Sequence, residues 1–152
     1  MLKQQIEQDL KQALLAGDKE RATTLRSLKS AILYAEVADG SRGADGLSDE
    51  AIIALFSKEA KKRQESADFY VKGDPQDPRA QAELAEKAII EHYLPKQLSD
   101  DELTSIVDGV IAESGVSGPQ AMGQVIGQVK QKTAGQADGA RIAQVVKARL
   151  TK

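Results

Sequence analysis

Nearly every segment of this chain repeats its apolar residues at intervals of three and four, and no segment alternates cleanly with a period of two. That spacing draws one apolar stripe along a helix and offers no buried face to a sheet. Leu2, Ile6, Leu10, Ala13 and Leu14 form a first stripe; Ala22, Leu25, Leu28, Ile32 and Ala35 form a second. Ile52, Leu55, Phe56, Ala60 and Ala67 carry a third, which runs to about Lys72. Leu84, Ala88 and Ile89 face inward on a shorter fourth, from about Arg79 to His92. Three more follow: Leu103, Ile106, Val107, Val110 and Ile111; Met122, Val125, Ile126 and Val129; Ile142, Val145, Val146 and Leu150. The chain reads as all-α, with a four-helix domain in residues 1–95 and a three-helix domain in residues 96–152.

The residues between the stripes are those that stop and start helices. Gly17 and Asp18 break the first stripe from the second, and Asp18 can accept an orphan backbone N–H as an N-cap. Residues 38–46 hold three glycines without periodicity and read as a surface loop, since no strand precedes them to make a dinucleotide fingerprint. Ser48, Asp49 and Glu50 put acids at the positive end of the third helix. Pro95 disfavours helix in the residue before it, so the domain boundary falls at about 95–98. Ser99 and Glu102 have the spacing of a capping box. Ser117 to Gln120 open the sixth helix. In the connector at 134–139, Gly135 can end a helix in a left-handed cap and Asp138 can start the next.

Composition removes several function classes. The 152 residues include no cysteine, so disulfides, thiolate metal sites and a cysteine nucleophile are excluded. A single histidine, His92, excludes a two-histidine metal site within one chain. His92 ends a helix beside Tyr93 and reads as a capping or packing residue. The carboxylate groups Asp49–Glu50 and Asp100–Asp101–Glu102 lie in first helical turns, where dipole and capping effects explain them without catalysis. No Walker loop, EF-hand or zinc spacing is present. We expect no catalytic residue, no metal and no cofactor. No stretch is long and apolar enough for a membrane span, and the N-terminal residues have no signal-peptide core. The expectation is a cytoplasmic protein with no membrane partner.

Two features point to binding. Gly123 and Gly127 sit inside a helical pattern, where each glycine costs up to about 1 kcal/mol against alanine. Together they bare a strip of backbone, suited to close approach by another helix of the same bundle, an RNA backbone or a partner protein. The second feature is charge. The net charge is −2, yet from Gln120 onward six basic residues face only Asp138. Lys130, Lys132, Arg141, Lys147 and Arg149 surround the 134–139 turn and could neutralise phosphates. No aromatic follows Tyr93, so binding there would read shape and backbone rather than stack bases on aromatic rings.

Five segments, in this order and spacing, resemble the GatB/YqeY family: Arg21–Ile32, Lys61–Ser66, Tyr93–Leu98, Met122–Gly123 and Ala137–Asp138–Gly139. The resemblance covers about residues 2–150. It implies an all-helical protein whose C-terminal domain is similar to the GatB tail, the part of the glutamine-dependent tRNA amidotransferase that helps hold tRNA. It also carries the family label of a carbon–nitrogen ligase with glutamine as amide donor. Gln136 stands where the family commonly has arginine, Gln124 where lysine is common, and Ile126 where a second methionine is usual.

The expectation is therefore a non-catalytic helical adaptor that binds tRNA or a tRNA-processing enzyme, such as an amidotransferase or another aminoacyl-tRNA-related protein. Lys130, Lys132, Gln136, Arg141, Lys147 and Arg149 are the tRNA-binding candidates, with Gly123 and Gly127 allowing close approach. The alternative is a protein-interaction module with no RNA role, using the N-terminal bundle and its Lys58–Arg63 segment. A third reading, an enzyme acting on an amide or ammonia-transfer intermediate, would rest on His92.

Overall fold

A computed structural model describes residues 1–42 and 46–151; the middle of the glycine-rich 38–46 loop lies outside the described residues. Among the described residues there are seven α-helices, one 3₁₀ turn and no strand. The helices are α1 (Leu2–Leu15), α2 (Lys19–Asp39), α3 (Asp49–Gly73), α4 (Pro78–Glu91), α5 (Asp100–Ser114), α6 (Met122–Thr133) and α7 (Gly139–Leu150). They fall into two compact units, Met1–Leu94 and Pro95–Lys152.

The caps follow local chemistry. The Asp18 carboxylate accepts from Arg21 N at 3.1 Å to start α2, and Ser48 Oγ accepts from Ala51 N at 3.2 Å to start α3. Ser99 and Glu102 close the reciprocal capping box that starts α5. Asp138 accepts from Ala140 N at 3.0 Å to start α7. The sixth helix begins later than its sequence suggests, because Pro119–Ala121 forms a 3₁₀ turn ahead of Met122. The left-handed residue that ends α6 is Ala134, at φ 44°, with Gly135 following at φ 86°.

In the first unit, α1 packs on α2 and α3 on α4 around Ile6, Leu25, Leu28, Ile32, Ile52, Phe56 and Ile90. Phe56 and Tyr93 meet edge to face at 6.1 Å between ring centres. Two expected inward residues point out: Leu14 is exposed beside the α1–α2 turn, and Ala88 is exposed on α4, where Ala80 and Ile90 are the buried residues. Two buried polar groups tie the helices. Glu36, only 3% exposed, accepts from Lys3 Nζ at 2.7 Å and from Leu47 N at 3.3 Å. The Lys3 bond holds its carboxyl below the usual carboxylate range. The Tyr93 hydroxyl donates to Asp9, which Arg21 approaches at 3.9 Å. Burial, with that bond to Asp9, pushes the Tyr93 phenol up to about 12.

The second unit wraps α5, α6 and α7 around Leu103, Val107, Val110, Val125, Val129, Ile142, Val146 and Leu150. So small a helical bundle has a limited core, and polar ties around its rim add to it.

Candidate nucleic-acid interface

The six polar candidates lie on α6, α7 and the turn between them, but tertiary contacts divide them. Arg149 forks onto Asp108 of α5 through Nε at 2.7 Å and a terminal nitrogen at 2.9 Å. Arg141 donates to Leu98 O at 3.0 Å and to Asp100 at 2.8 Å. Lys132 pairs with Glu113, also on α5, at 3.0 Å. Each of these cations therefore meets an acid of α5 or its first turn, and the positive field that the C-terminal sequence suggests is partly cancelled. Partly exposed pairs of this kind are worth up to about 1 kcal/mol each, so they fasten the bundle modestly.

Gln136 works through its backbone. Its N–H donates to Thr133 O at 2.9 Å and its carbonyl accepts from Leu98 N at 2.8 Å. With Gln97 Nε2 donating to Gly135 O at 3.2 Å, this fixes the segment before α5 against the α6–α7 turn. Lys130 and Lys147 are exposed. A Cβ built on Gly139 would lie 3.5 Å from Lys130 Cε, so this lysine reaches over the start of α7.

Gly123 and Gly127 are both exposed, and a Cβ built on either would meet nothing within 4 Å. Close packing by another helix of the same bundle, one of the alternatives open from sequence, is therefore not the reason for these glycines. Gly123, Gly127 and Lys130 recur at i, i+4 and i+7, so the bare backbone continues along one face of α6 into a cation. The opposite face carries buried Val125, Val129 and Thr133.

The N-cap role of Asp138 occupies the α7 terminus, so that helix end presents no free anion cradle. His92 is exposed at the C-cap of α4, its ring edge-on to Tyr93 at 5.5 Å. Among the described residues no three His, Cys, Asp or Glu side chains converge as a metal site, and no helix is long and apolar enough to cross a membrane.

Residues 3–150 match the family described as Yqey-like protein. Curated relatives include the protein named "Altered inheritance of mitochondria protein 41, mitochondrial" from Eremothecium gossypii. It is 31% identical over 134 residues, covering 86% of this chain and 71% of that protein. The protein of the same name from Lachancea thermotolerans is 32% identical over 116 residues, covering 75% and 60% respectively. These relatives correct the cytoplasmic expectation, because both are named as mitochondrial proteins. That expectation rested on the lack of a membrane-spanning stretch and of an apolar signal core, neither of which bears on mitochondrial import. Mitochondrial targeting segments are amphipathic and arginine-rich, and an apolar-stretch test does not see them.

Proposed function

We propose that this chain, which belongs to the Yqey-like family, is a non-catalytic adaptor that holds a folded RNA of the tRNA class through a C-terminal three-helix domain. The reading divides the chain into a four-helix domain, residues 1–95, and this three-helix domain, residues 96–152. The observation that carries it is the open glycine strip of α6 leading into Lys130. Bare helix backbone lets a sugar–phosphate chain come closer than any side chain would allow, and a lysine at its end supplies a counter-charge. The internal pairing of Lys132, Arg141 and Arg149 concentrates the phosphate-binding role on Lys130 and Lys147. Contacts of this kind read shape and backbone, as helical RNA requires.

The test is a gel-mobility or anisotropy titration of unmodified tRNA across salt. Two neutralised phosphates give a slope in log affinity against log salt of about −2, and all five candidate cations about −4 to −5. No binding at low salt would refute the reading. The exposed apolar residues Leu33, Tyr34 and Val37 on α2 favour the second reading, a protein-interaction module built on the N-terminal bundle and its Lys58–Arg63 segment. Partners retained from lysate after RNase treatment, with no tRNA binding by the pure protein, would select it.

A further inference from the structure

The outer face of α3 carries a pattern that the C-terminal reading leaves unused. Lys58, Lys62, Phe69 and Lys72 recur at i, i+4, i+11 and i+14, which places them along one side of the helix. All four are exposed, and Phe69 is 72% exposed although it is a large aromatic. The stretch from Lys62 to Lys72 covers about 15 Å at 1.5 Å per residue. Two open grooves of about 410 and 550 Å³ flank the Phe69 ring, one reaching Lys62 and the other Lys72. The Arg79 guanidinium lies 4.4 Å from the ring centre of the neighbouring Tyr70 and is itself forked onto Asp77, the N-cap of α4. Tyr70 in turn meets the exposed Phe69 ring edge-on at 6.0 Å.

We propose that this face binds an unpaired stretch of RNA, with a base stacked on Phe69 and the flanking phosphates on Lys62 and Lys72. An exposed ring between cations is the arrangement that takes single strands, because every base has a stacking face and the phosphates on either side need counter-charge. Lys58 and Lys72 make no ion pair among the described residues, whereas Lys62 shares Glu59 with Arg63. Glu65 lines the groove at Lys62, and Asp74 and Asp77 line the groove at Lys72, so stacking carries more of the affinity than charge does. The surface lies on α3 and the strip on α6, and only the choice of RNA as ligand rests on the preceding reading.

The test titrates the full chain with end-labelled hexa-adenylate and hexa-uridylate at low salt, read by anisotropy and by backbone amide shifts. Binding with shifts confined to the C-terminal half of α3 and the start of α4 is expected. Phe69→Ala should weaken it by about fivefold or more while Phe69→Tyr keeps it. Lys72→Ala should flatten the salt slope by about 0.7. Circular dichroism of each variant checks that the fold is intact. The proposal is overturned if neither oligomer binds, if Phe69→Ala binds as well as the parent, or if an acidic peptide displaces the oligomer and is itself indifferent to Phe69→Ala. Transfer RNA that shifts α6 while the oligomers leave α3 unmoved would overturn this inference and leave the C-terminal reading standing. Oligomer binding on α3 without any tRNA effect on α6 would do the reverse.

Discussion

Replacing Gly123 and Gly127 by alanine separates what α6 needs for folding from what it needs for docking. Both residues are helical, neither has positive φ, and an added Cβ would meet nothing within 4 Å. The substitution therefore brings no clash and removes the backbone entropy that glycine loses on folding. At the helix-interior position 127 the gain is about 1 kcal/mol; at 123, in the first turn, it is smaller. The double variant should be more stable by about 1 to 1.5 kcal/mol, a rise in midpoint of several degrees for a unit of this size. Urea or thermal unfolding followed by circular dichroism reads this directly. The same two methyl groups would hold an RNA backbone away from α6, so tRNA affinity should fall by about tenfold or more as stability rises. A double variant that is less stable would refute the geometry of the open strip. One that is more stable and still binds tRNA normally would refute its role in docking.

Three further outcomes follow from the buried polar groups. The Thr24 hydroxyl is buried without a hydrogen-bond partner among the described residues, so Thr24→Val should stabilise the protein by about 1 kcal/mol in urea unfolding. Glu36 titrates below its ordinary value in the fold, so its contribution is present above the ordinary carboxylate range and is lost as pH falls through the folded value. Glu36→Gln should destabilise at neutral pH and flatten the acid limb of a stability–pH curve. The Tyr93 phenol is pushed the other way, to about 12, so its contribution is intact below pH ~10 and is lost as pH rises from there. Tyr93→Phe should flatten that alkaline limb, measured by urea midpoints from pH 8 upward.

The sequence made local features legible and long-range ones not. Asp18, Ser48, Ser99 and Asp138 were readable as caps because an N-cap bonds a backbone group two or three residues away. The seven helices were readable from periodicity. Ala88 was misplaced because alanine satisfies both an inward and an outward position, while Ile90 decides which face of α4 turns in. Glu36 gave no signal as a buried residue: its partner Lys3 lies on another helix, and no local pattern links them. The cation candidates show the same limit. Arg149 and Arg141 each find an acid 41 positions earlier, a pairing that only the packing of α5 against α7 creates. Gly123 and Gly127 are legible as an anomaly, but their exposure depends on which face of α6 the α5 and α7 helices cover, and no local pattern records that.

The most direct measurement is a map of backbone amide shifts on adding tRNA at low salt. The account predicts shifts centred on the exposed face of α6, from Gly123 through Lys130, and extending to Lys147. An unchanged spectrum, or shifts that avoid α6 altogether, would contradict it.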